Sequence, residues 1–146
     1  MTKETYPAVR QTVLDCMRPR ELAEFYRQLL GMTYRPGDES PPAGEPDPNG
    51  EDWLVLRGAD GMPKLAFQQV DELPEATWPG GEHPQQLHLD MTVPDVEDFA
   101  RQHERALALG ARLLLDRSED EEELLRVYAD LAGHPFCIFV AAPPGV

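Results

Sequence analysis

One pattern occurs twice in this chain, and that repetition constrains the fold more than any other feature. Gln11-Thr12-Val13-Leu14-Asp15-Cys16 runs into a helical stretch that ends Leu29-Leu30-Gly31. Further on, Gln86-Leu87-His88-Leu89-Asp90-Met91-Thr92-Val93 runs into the acidic stretch from Pro94 to Ala108. Alternate side chains of a strand share a face. His88, Asp90 and Thr92 therefore line one side, and Leu87, Leu89, Met91 and Val93 fill the other. In the first copy Gln11, Val13 and Asp15 lie opposite Thr12, Leu14 and Cys16. A polar face backed by an apolar one and followed by a helix reads as a cavity wall, and two such starts predict two similar halves.

The rest of each half follows the same order. A strand over Val9–Cys16 is followed by a helix opened by Pro19 and Glu21, residues suited to a first turn and to the positive end of the helix dipole. Leu22, Phe25, Tyr26, Leu29 and Leu30 give it one apolar face, and Gly31 stops it. Met32–Arg35 makes a short strand. Trp53–Arg57, the turn Gly58–Gly61 and Leu65–Val70 read as a hairpin. The segment Pro36–Asp52, rich in Pro, Gly and acids, reads as a mobile lid or insertion with no core of its own. Asp71–Gln85, centred on Trp78-Pro79-Gly80-Gly81, reads as a linker.

In the second half the helix runs from about Pro94 to Leu109, with Val96, Phe99, Ala100, His103, Leu107 and Ala108 along one face. Gly110 stops it. Ala111–Leu115, Leu124–Ala129 and Phe136–Val140 are the remaining strands, Asp116–Glu123 a solvated charge run, and Asp130–Pro135 a turn. Eight short strands and two helices predict an α+β domain. It covers 1–146, with one module at about 7–71, a linker at about 72–85 and a second module at about 86–142.

Composition narrows the partners. Thirteen Lys and Arg stand against 27 Asp and Glu, a net charge of −14, which repels phosphate backbones and anionic lipid, so neither nucleic acid nor membrane is an expected partner. No stretch approaches the roughly 20 apolar residues of a membrane span. The N-terminus lacks the apolar run of a signal peptide, so a cytoplasmic location with reduced Cys16 and Cys137 is expected.

Leu14-Asp15-Cys16, Glu21–Gly31, Trp78-Pro79-Gly80, Gln85–Asp90, Ala108–Ala111 and Gly133–Cys137 together resemble the glyoxalase/bleomycin-resistance/dioxygenase superfamily, also called the vicinal oxygen chelate (VOC) superfamily. The resemblance is nearest to its bacterial glyoxalase-like domain branch. It implies paired βαβββ modules forming curved mixed sheets around a cleft, and a homodimer with shared clefts. In metal-using relatives it also implies four ligands, two per module. Carried onto this chain, those positions are Gln11, Ala66, His88 and Cys137. The strands that should supply carboxylates hold no Asp or Glu, so metal-dependent glyoxalase chemistry is not expected, nor is any metal or cofactor.

The candidate cleft residues are Gln11, Asp15, Trp53, Gln68, His88, Asp90 and Cys137, and they bind an unidentified small molecule on this reading. That makes the chain a metal-independent binding or sequestering protein of the resistance type. The alternatives are an enzyme (a lyase, isomerase or dioxygenase-like activity) using His88 with Asp90 or Asp15 as a general base, and a regulatory or structural module whose cleft is filled by its own side chains. His83, His103 and His134 have no evident partner in the sequence.

Overall fold

The two repeated strands become the edges of two separate sheets. The computed structural model describes residues 3–141. The first half is β1 (Thr12–Cys16), α1 (Pro19–Leu30), β2 (Thr33–Tyr34), a 3-10 turn at Asn49–Glu51, β3 (Trp53–Arg57) and β4 (Pro63–Gln69). The second is β5 (Leu89–Val93), α2 (Val96–Ala108), β6 (Arg112–Arg117), β7 (Leu125–Ala129) and β8 (Pro135–Val140). Sheet order is β1-β4-β3-β2 in one half and β5-β8-β7-β6 in the other. In both, the first strand lies parallel to the last while the others pair antiparallel. No helix among the described residues is long and apolar enough to cross a membrane.

Boundaries differ from the sequence reading in ways that have local causes. Helix α1 ends as expected, at Gly31 in the left-handed conformation (φ 66°). Helix α2 starts at Val96 because the Asp95 carboxylate accepts the Asp98 N–H and caps the first turn. Strand β5 begins at Leu89, so His88 stands at its threshold. Part of the expected charge run belongs to β6, where Asp116 pairs with Arg126 of β7.

Both sheets turn the apolar side of their strands to one shared core. Leu14 and Cys16 of β1, Leu54 and Leu56 of β3, and Leu65 and Phe67 of β4 join Val93, Phe136, Ile138 and the apolar faces of both helices in one cluster. Burying a side chain of this size contributes about 1.5–3 kcal/mol. Helix α1 is the joint. The Tyr26 ring stacks on Phe67 of the first sheet, Phe25 and Tyr26 both contact Phe136 of the second, and the Tyr26 hydroxyl donates to Asp130 Oδ2 at 2.5 Å. Arg105 of α2 donates to the Gln28 and Leu29 carbonyls at the C-terminal end of α1, where a cation offsets the helix dipole. With the core on this side, the faces carrying the candidate site residues are the opposite ones.

The Pro36–Asp52 segment is not an unanchored strap. Its Asp38 is 3% exposed and accepts the Val55 N–H at 2.9 Å, taking the place of the missing continuation of β2. Arg20 of α1 bonds both Asp47 oxygens, at 2.8 and 2.9 Å, and the Asp38 carbonyl at 2.7 Å, with its guanidinium over the Tyr34 ring. Arg20, which composition alone does not single out, organises this acidic segment together with Arg35, whose guanidinium pairs with the Asp38 carboxylate at 3.0 Å.

Candidate functional site

Parallel pairing of β5 with β8 sets Asp90 opposite Cys137, and His88, two residues earlier, shares their face. His88 Nε2 lies 3.2 Å from Asp90 Oδ1. One donor atom from each of His88, Asp90 and Cys137 falls within 4.8 Å of the others. Val127 of β7 is the neighbour of Cys137 on its other side. Leu125, Leu115 and Arg117 continue the surface, and Trp78 and Gln85 of the linker close it into a cavity of about 200 Å³.

In this strongly acidic chain, no carboxylate lines that cavity, although Asp90 flanks it. Arg117 has no ion-pair partner among the described residues. The half-buried Cys137 thiol is pushed up to about 11, by burial first and by the Asp90 carboxylate second. It therefore stays protonated at neutral pH and is not an activated nucleophile. Burial likewise pushes Cys16, in the core, up to about 12.

The first sheet holds the remaining candidates apart from these. Asp15 and Gln68, paired in register across β1 and β4, line a different cavity of about 360 Å³ with His83, Leu87 and His134. Gln85 lines both cavities. Trp53 is the register partner of Gln68 and borders neither cavity. Gln11, half-buried just before β1, has its Oε1 buried with no donor within reach. The seven residues expected on one cleft are thus divided, with His88, Asp90 and Cys137 on the second sheet and Gln11, Asp15, Trp53 and Gln68 on the first. Strand alternation assigns a residue to a face, but it does not say which faces meet.

Two histidines have partners that the sequence did not reveal. His103 Nδ1 lies 2.8 Å from the Tyr128 hydroxyl, and His134 Nε2 bonds the Asp15 carbonyl at 2.6 Å, tying β1 to the β7–β8 turn. Trp78, Leu115 and Arg117 were not among the sequence candidates. Arg117 sat in what read as a solvated charge run, and Trp78 in what read as a linker. The one available signal was the spacing of Leu115 and Arg117, two apart and so on one face of a strand.

The four-ligand metal centre implied by the superfamily does not fit these residues. Ala66 has no donor and is fully buried, and its neighbours Leu65 and Phe67 face the core. No catalytic step through such a centre is open to this chain.

A model of the glyoxalase-like domain family matches residues 11–139. No curated protein matches the sequence. Among solved structures, the fosfomycin resistance protein FosX from Listeria monocytogenes superposes with a TM-score of 0.65 at 14% identity, over 94% of this chain and 96% of its own. A glyoxalase/bleomycin resistance protein/dioxygenase family enzyme from Burkholderia phytofirmans gives 0.62 at 14% identity, over 90% and 96%. Lactoylglutathione lyase from Agrobacterium tumefaciens gives 0.58 at 16% identity, over 98% and 100%. These superpositions, at identities too low to show more than the fold, share with this chain two four-stranded mixed sheets and two helices.

Proposed function

The chain belongs to the glyoxalase-like domain family, and from that premise we propose that it binds a small, partly apolar anion on the exposed face of its second sheet. The observation that carries this reading is the lining of the 200 Å³ cavity. Trp78, Leu115, Leu125 and Val127 supply apolar walls, Arg117, His88 and Gln85 the polar groups, and no acid is among the lining residues, Asp90 standing beside His88 at the edge. A mostly apolar concavity with a few convergent polar groups is the usual form of a ligand site. Binding does not use the superfamily's four-donor metal centre, since Ala66 has nothing to donate. The protein works as a homodimer in a reducing compartment, where Cys16 and Cys137 remain thiols. Sequestration of such a ligand requires nothing further of the site.

Titration of the ¹⁵N-labelled protein with benzoate and with neutral benzamide tests the reading. Benzoate is expected to shift the Trp78 indole N–H and the Arg117 N–H signals and to bind at least about five-fold more tightly than benzamide, roughly 1 kcal/mol. Arg117→Gln should remove that preference. Equal affinities, or shifts confined to the Asp15 and Gln68 cavity, would overturn it.

A second reading, catalysis by His88 as a base oriented by Asp90, draws on their 3.2 Å contact. Asp15 does not belong to it, because Asp15 lines the other cavity. Under this reading Asp90→Asn lowers turnover by orders of magnitude while affinity stays similar; a pure binder shows only a modest change in affinity.

A further inference from the structure

We propose that the 360 Å³ cavity between the two halves binds a primary ammonium carried on a small apolar body, with the Asp15 carboxylate as its counter-ion. β1, β4, the linker and the β7–β8 turn all contribute to its walls, and ligand cavities favour such junctions. Strand pairing and one histidine place the residue that sets the chemistry. Asp15 lies beside Gln68 through the β1–β4 register. His134 Nε2 donates to the Asp15 carbonyl at 2.6 Å and holds that end of β1 against the β7–β8 turn. Asp15 is thereby fixed where the halves meet.

The charge inventory selects the ligand. Asp15 is the only acid among the lining residues, and neither Lys nor Arg joins it. Its carboxylate makes no ion pair among the described residues. The wall shared with the smaller cavity carries a second unsatisfied acceptor, Gln85 Oε1, which is buried with no donor within reach. A buried acceptor left without a donor is costly, and an anion cannot relieve it. An ammonium carries three N–H donors, enough for the carboxylate and the amide together. Leu73, Pro74 and Ala132 make the rest of the wall apolar, which suits a hydrocarbon body. A bare divalent ion would need several charged oxygens, and one carboxylate does not supply them. The net charge of −14 raises the local concentration of any cation. This chemistry is the opposite of that in the 200 Å³ cavity, where Arg117 is present and acids are absent, so the site does not rest on the anion reading.

Titration of the ¹⁵N-labelled full-length protein with benzylamine and with neutral benzyl alcohol tests the proposal. Benzylamine is expected to bind about ten-fold more tightly, the contribution of one charge-assisted hydrogen bond. It should shift the Gln68 side-chain amide and the Ala132 and Gly133 backbone N–H signals. Asp15→Asn keeps the shape without the charge and should erase the preference. Glu21→Gln, at an exposed acid of α1, should leave it intact. Equal affinities for the two probes overturn the proposal. So does a preference that survives Asp15→Asn, or one lost equally in Glu21→Gln, which is how a diffuse acidic surface would hold an amine. Shifts confined to the Trp78 and Arg117 signals overturn it as well. Benzylamine binding that depends on Asp15, in a protein that ignores benzoate, would support this site while refuting the anion reading. Because the decisive comparison uses the wild-type protein, a variant that fails to fold does not remove the test.

Discussion

At the scale of single residues, Asp130 is the most consequential group that the sequence left unmarked. It reads as the first residue of a turn, yet it is 3% exposed. Its Oδ1 accepts the Ala132 and His134 N–H groups, and its Oδ2 accepts the hydroxyl of Tyr26, 104 residues away. Burial raises its pKa, with the Tyr26 hydrogen bond the largest opposing effect. The folded state therefore holds the Asp130 proton more tightly than the unfolded chain does. The stability this contributes is full below the ordinary aspartate value of about 3.9 and is lost as pH rises through the raised value. Asp130→Asn keeps the hydrogen-bonding shape without the charge, so its stability relative to wild type should increase from acid pH toward neutrality. Tyr26→Phe should cost about 1–3 kcal/mol at neutral pH, the penalty for withdrawing a donor from a buried group. Denaturant unfolding across a pH series checks both, and a pH-independent difference for Asp130→Asn would refute the assignment.

At the scale of elements, the Pro36–Asp52 segment owes its place to α1. Arg20 gathers Asp47, the Asp38 carbonyl and the Tyr34 ring, and its side chain is only 18% exposed. Hydrogen bonds to charged groups contribute about 1.5–3 kcal/mol, and partial solvent screening places this set at the lower end. Arg20→Ala should therefore destabilise the domain by about 1–2 kcal/mol and open the segment to limited proteolysis. Arg18→Ala, whose pair with Glu21 is exposed on the same helix, should change neither. Cleavage within 36–52 at equal rates in wild type and Arg20→Ala would show that the segment is held elsewhere. The segment's proline and acid content correctly excluded a packed helix and a central strand, leaving only the 3-10 turn Asn49–Glu51, but its anchor lay in a helix that precedes it.

At the scale of the whole molecule, the two halves share one core through Tyr26, Phe25, Phe67 and Phe136, and their exposed faces each carry part of the expected cleft. β1 and β5 are both edge strands of their sheets. Val13 and Leu87, at 38% and 41% exposed, offer apolar contact beside them. Association of two copies, the first sheet of one meeting the second sheet of the other, would bring Gln11 and Gln68 toward a partner's His88. Sedimentation equilibrium should accordingly give the mass of a dimer at micromolar concentration, and Val13→Lys should shift it toward monomer without loss of folding. A monomer at all concentrations would confine the anion-binding face to the second sheet alone.

Strand and helix identities and the repeat were legible in the chain. They follow from periods of two and 3.6 and from local signals such as Gly31 at a helix end. The juxtaposition of His88, Asp90 and Cys137 was half legible: His88 and Asp90 lie two residues apart at the start of β5, but Cys137 joins them only through the β5–β8 register. Closure of that face by Trp78, the anchoring of the acidic segment by Arg20 and the Tyr26–Asp130 joint were not legible. Each depends on groups distant in sequence that meet only once the aromatic core has set the two halves against each other. Local periodicity settles what an element is and which way its side chains point. Long-range packing settles what those side chains meet.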